Sequence, residues 1–152
     1  MNPVLARFWQ LIDSETVRLY QAVMYTCYFT AGVYMASFGR APSTIQRAMG
    51  EHAHYTWIAL MIACPLVVLL GTRVPNKWSG LWLQLGGNLG VVTCLATYVA
   101  AVLQSPWWGT GVFAVWGYVG LTVCTAAIIL RDGRRIHQTR VLARALRAQG
   151  VR

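Results

Sequence analysis

The sequence predicts an all-α polytopic membrane protein: four transmembrane helices in an antiparallel bundle, with an N-terminal interfacial helix and a C-terminal basic amphipathic helix. Three observations carry this expectation. Between residues 78 and 130 no Asp, Glu, Lys or Arg occurs; because a bilayer core of about 30 Å takes about 20 helical residues, this run is too long for one crossing and sufficient for two. Hydrophobic residues make up 57% of the chain and charged ones only 11%, well under the roughly 25% of an ordinary soluble domain. Finally, of 13 cations, seven lie from Arg131 onward, directly after a predicted span. A net charge of +9 placed in this way points to anionic lipid headgroups, not to nucleic acid.

With 152 residues the chain is expected to hold one membrane domain and no separate soluble enzyme domain. Residues 3–12 place Val4, Leu5, Phe8, Leu11 and Ile12 on one helical face, too short to span, which suits a helix lying on the membrane surface. The first span is expected over residues 15–39, after cap residues Asp13 and Ser14. Its uncharged run begins near Leu19 and is longer than the apolar core of a cleavable signal, so this span is expected to stay attached. Ala22, Thr26 and Thr30, and likewise Gly32 and Ala36, recur at i, i+4 and mark a packing face.

Ser43 and Gln46 have capping-box spacing, which predicts a short surface helix within residues 40–51. The second span is expected over residues 52–72, kinked near residues 61–65 by Pro65 and ended by Gly71. Residues 72–77 form a short basic turn. The third span, residues 80–104, is the most polar, with Gln84, Asn88, Thr93 and Thr97 beside Gly86 and Gly90. Ser105, Pro106 and Gly109 break the uncharged run, and Trp107 and Trp108 suit the headgroup interface. The fourth span, residues 107–130, contains Gly117 and Gly120. Arg131, Asp132, Gly133, Arg134 and Arg135 are expected to end it, and residues 134–149 to form the basic helix, with Arg140, Arg144 and Arg147 on one face. Arg131, Arg134, Arg135, Arg140, Arg144 and Arg147 are thus candidate headgroup contacts.

Orientation follows from the cations. Four spans place eleven on the side of both termini and only Arg40 and Arg47 on the other, so the termini are expected in the cytoplasm and the chain in the cytoplasmic membrane.

No chemistry-bearing constellation is expected. His52 and His54, beside Glu51, are two residues apart and point to different helix faces, unlike an i, i+4 metal pair; a polar collar at the interface fits them better. His137 lies on the opposite side, which leaves haem without a ligand pair. Cys27, Cys64, Cys94 and Cys124 show no C-x-x-C spacing and read as small packing residues. No carboxylate or base falls inside a predicted span, which argues against ion-coupled transport of the small multidrug-exporter kind, and no nucleophile has a base and an orienting group. The chain is therefore expected to be no enzyme and to need no metal or cofactor. The residues singled out instead serve helix association: Gln84, Asn88, Gly86, Gly90, Thr93 and Thr97 in the third span, Gly117 and Gly120 in the fourth. Two uses stay open for them, packing inside one bundle and contact between copies around a polar lesion.

The segment from Arg7, Phe8 and Trp9 through Asp13 to Gln21, then Gln46 to Gly50, then the Cys64-Pro65 pair of a glycine-flanked span, together cover about the first half of the chain. In these segments and in its four-pass plan the chain resembles small membrane proteins encoded by tailed phages of actinobacteria, some of which lie in lysis cassettes and are regarded as holins or holin-like. The resemblance implies a homo-oligomer that opens or depolarises the host membrane and so releases an endolysin, with a phage lysis protein as possible partner. Holins share no active-site motif, so no residue role is carried over. A superinfection-exclusion protein acting by binding and a small bacterial membrane scaffold are the alternative readings.

Overall fold

The structure, a computed structural model, describes residues 15–38, 42–105 and 112–148. They form four helices and, among the described residues, no strand: α1 (Glu15–Phe38), α2 (Ser43–Gly71), α3 (Lys77–Leu103) and α4 (Val112–Ala148). Three are long and apolar enough to cross a membrane, over His52–Gly71, Lys77–Leu103 and Ala114–Arg144. Helix α1 has the length, 24 residues, but Gln21 and its tyrosines and threonines lower its hydropathy. The interfacial helix expected over residues 3–12 lies outside the described residues.

Consecutive helices are the close neighbours: α1 packs on α2, α2 on α3 and α3 on α4. Tyr25, Trp57, Ile58, Met61, Val68, Val91 and Leu95 form the centre of the core. The Trp57 indole donates to the Cys94 carbonyl at 3.1 Å, tying α2 to α3, and the Tyr98 and Tyr118 rings stack 4.1 Å apart between α3 and α4. Of the four cysteines, Cys64 and Cys94 are buried as packing residues, whereas Cys27 and Cys124 are exposed.

The start of α2 differs from the expected capping box. Pro42 occupies the cap position and its carbonyl accepts from the N–H groups of Ile45 and Gln46, leaving Ser43 inside the helix with no capping role. This short first part is more than a surface helix, because Ile45 is fully buried. It meets the spanning part at Gly50, whose φ of 75° lies in the left-handed region that a side chain disfavours. Gly50 is where the backbone of α2 leaves helical φ/ψ, whereas residues 61–65 keep helical φ/ψ and the helix continues through Pro65. The turn before Pro65 is gripped on both sides: a Cβ on Gly32 of α1 would lie 3.2 Å from the Ile62 nitrogen, and one on Gly87 of α3 would lie 2.8 Å from the Cys64 carbonyl oxygen. Neighbouring backbone of this kind holds a proline turn in place.

Helix α2 ends at Gly71, with Thr72 in the ordinary right-handed region as cap. Gly71 therefore supplies closeness, not a left-handed turn: a Cβ on Gly80 would lie 2.7 Å from the Gly71 carbonyl oxygen. The Asn76 side chain, accepting from the Trp78 N–H at 3.1 Å, then starts α3.

The largest departure from expectation is in α4, which is unbroken for 37 residues. Gly133 costs a helix only about 1 kcal/mol, and the neighbouring Arg131 and Asp132 have partners inside the bundle. No separate basic helix starts at residue 134. The polar half of α4 runs on beside the first turns of α3, where the Arg140 guanidinium sits 5.3 Å from the Trp78 ring and 5.4 Å from the Trp82 ring.

These contacts predict a contrast between adjacent glycines. Gly87→Val should cost about 1–3 kcal/mol by overpacking and lower the thermal midpoint in detergent, whereas Gly86→Ala, with nothing within 4 Å of an added Cβ, should leave it unchanged or slightly higher.

Candidate functional site: a buried polar ring between α1, α3 and α4

Gln21 and Tyr25 lie one turn apart on α1 and are both buried. The Tyr25 hydroxyl donates to Asn88 Oδ1 at 2.5 Å, and Asn88 Nδ2 donates to Asp132 Oδ2 at 2.9 Å. On α4, Arg131 Nε pairs with Asp132 Oδ1 at 3.2 Å, and Arg131 Nη2 reaches back to Gln21 Oε1 at 3.4 Å. The series closes through α1. Asn88 and Asp132 have no exposed surface, and Arg131 is 3% exposed, so a charge pair and three polar side chains share one low-dielectric space. Removing charge from water costs several kcal/mol per ion unless partners surround it, and the amide of Asn88 supplies them by donating to the carboxylate while accepting from the phenol.

A cavity of about 540 Å³ opens beside this ring, at the end of the bundle that holds the α2–α3 turn. Gln21 and Ala22 of α1, Leu69 and Gly71 of α2, Thr72 and Val74 of the turn, Lys77 and Gln84 of α3, and Arg131 and Arg135 of α4 are among its walls. Two buried donors beside it have no hydrogen-bond partner, Gln21 Nε2 and Arg131 Nη1.

The residues singled out from the sequence are dispersed. Asn88 bonds within the bundle, which places it in association between helices of one chain. Gln84, half-buried, lines the cavity. Gly90 packs on Cys64 of α2, whereas Gly86, Gly117 and Gly120 face open space. Thr93 and Thr97 donate to the carbonyls of Leu89 and Thr93 on their own helix, at 2.9 and 2.8 Å. Among the arginines, Arg131 is corrected: it is enclosed by the bundle instead of lying on its surface. Arg134, Arg140 and Arg144 are exposed and Arg135 is half-buried, and the Arg147 side chain lies outside the described residues.

Gln21, Tyr25 and Asp132 were missed. Asp132 is one of only four acids in the chain, and its place beside an arginine at the end of an uncharged run was the available signal. The reading that no carboxylate belongs to a spanning helix is corrected too, because Asp132 lies level with Asn88, about three turns into α3. His54 Nδ1 lies 3.2 Å from the Gly50 carbonyl oxygen of its own helix, and His52 is exposed.

The ring predicts graded losses. Tyr25→Phe, which removes one interhelical hydrogen bond, should cost about 0.6–1.7 kcal/mol, whereas Asp132→Leu, which strands the buried Arg131 charge, should cost about 3–5 kcal/mol. Reversible unfolding in mixed micelles measures both.

No protein-family model, curated protein or solved structure matches this chain.

Proposed function

We propose that this chain crosses the cytoplasmic membrane four times with both termini inside, and that copies of it associate laterally and permeabilise or depolarise the membrane in the manner of a holin. The supporting observation is on α1. Of the small residues expected to pack, Gly32 meets Ile62 of α2, whereas Ala22, Thr26, Thr30 and Ala36 are exposed, the bundle using Gln21, Tyr25 and Tyr28 beside Gly32. Their hydroxyls are already satisfied, Thr26 donating to the Ala22 carbonyl and Thr30 to the Thr26 carbonyl, each at 2.8 Å. A small-residue face with its polar groups satisfied lets another helix approach closely in lipid, where packing and not hydrophobicity drives association. Gly117 and Gly120 leave a second open patch on α4.

Four crossings with cytoplasmic ends agree with the cation count, because the eleven cations of the terminal side include those of the polar half of α4. In a background without native cysteines, Ser43→Cys should react with an impermeant thiol reagent in intact cells and Gln138→Cys should not; the reverse pattern overturns the orientation.

Function is tested by controlled expression with an endolysin. Abrupt lysis is expected, and Thr26→Leu with Thr30→Leu should reduce cross-linked oligomers and delay lysis while leaving membrane insertion intact. Undisturbed growth at full membrane expression overturns the proposal, and if superinfection is then reduced, the exclusion reading replaces it.

A further inference from the structure

We infer that the cavity between α1, the α2–α3 turn and α4 is a binding site for a phosphate-bearing anion. At about 540 Å³ it falls within the roughly 300–1,000 Å³ of small-molecule sites. Its chemistry is one-sided. Of the three buried side-chain atoms without a hydrogen-bond partner among the described residues, Tyr28 Oη belongs to a residue away from the cavity, while Gln21 Nε2 and Arg131 Nη1 belong to residues that line it and are both donors; those residues are 6% and 3% exposed. A buried donor without an acceptor costs about 1–3 kcal/mol, and here two such donors border one space from two different helices.

The charge of the walls agrees. Lys77, Arg131 and Arg135 line the cavity, and among the described residues no acid does. Asp132 bonds to Arg131 Nε and to Asn88 Nδ2, so it orients the guanidinium. A tetrahedral phosphate suits donors that come from two helices, since its oxygens accept several hydrogen bonds and arginine presents donors in a fixed fork. The cavity also lies beside Lys77 and Trp78, at the end of the bundle suited to the membrane interface, so the phosphate can belong to a lipid headgroup or to a soluble phosphate compound. The site is a property of one bundle and holds whether or not copies associate.

The test uses the full chain purified in a neutral detergent. The thermal midpoint and binding by native mass spectrometry are followed against inorganic phosphate in one arm, and against phosphatidylglycerol beside phosphatidylcholine in the other. The midpoint should rise with phosphatidylglycerol or with phosphate. A response to phosphatidylglycerol alone identifies a headgroup, and a response to inorganic phosphate identifies a soluble source. Gln21→Leu should weaken binding about tenfold, the effect of one hydrogen bond to a charged group. Lys77→Gln, at an exposed position where folding is not at stake, should weaken it several-fold, and Arg140→Gln, outside the cavity, should not. If neither probe binds, or if Lys77→Gln and Arg140→Gln lower phosphatidylglycerol binding equally, as a diffuse basic surface would, the site is overturned.

Discussion

A charge pair excluded from water sets the terms for the rest of this bundle. Arg131 and Asp132 are neighbours in sequence, so their mutual attraction is available at little entropic cost, but it does not by itself satisfy the carboxylate's second oxygen or the outer nitrogens of the guanidinium. Those groups need partners from other helices, because neither hydrocarbon nor the packed interior offers any. Asn88 meets the carboxylate and Gln21 meets the guanidinium. The level of α4 against α3 and α1 is thereby specified in a way that apolar packing, which tolerates a shift of one turn, does not achieve. A single polar contact that fixes register at some cost in stability is a known use of buried polar groups.

The two sides of the molecule are held by different means. Between α2 and α3, glycines let the backbones approach: a Cβ on Gly80 would lie 2.7 Å from the Gly71 carbonyl oxygen, and one on Gly87 2.8 Å from that of Cys64. Between α1 and α4, which are not close-packed neighbours, long side chains span the gap. The cavity opens where the two regimes meet, between the α2–α3 turn and the long side chains of Gln21, Arg131 and Arg135.

The outer surface follows the same division. Leu19, Tyr34, Phe38, Leu70, Trp116, Val123 and Leu130 are exposed, as suits a surface that meets acyl chains, while small residues on α1 and α4 interrupt it. The polar half of α4 carries exposed Arg134, Arg140 and Arg144 beside the α3 tryptophans. Arginine over an aromatic ring is stabilised by the negative face of the ring. Apolar body, small-residue patches and a basic end are the elements that lateral assembly in a bilayer would use.

What the sequence by itself determined was the class of solvent. A long uncharged run, few charges and cations gathered after it dictate helices and a membrane, because a continuous apolar run satisfies its backbone hydrogen bonds in hydrocarbon as helices, whereas a closed barrel needs short strands of alternating polarity. The end of α3 at Leu103 and of α2 at Gly71 were legible as well, since uncharged runs are punctuated by the same Pro, Gly and cap residues in any surroundings. Tertiary structure decided everything that depends on which side of a helix meets a neighbour. Composition makes Arg131 and Asp132 a tail, yet the bundle makes them its centre, because Asn88 and Gln21 arrive from helices distant in the chain. Spacing marks Ala22, Thr26 and Thr30 as a packing face, yet α1 turns Gln21 and Tyr25 inward, because their polar groups find partners there and the threonines find theirs on their own backbone. Local propensity sees neither preference, since each is settled by hydrogen bonds between residues far apart in sequence.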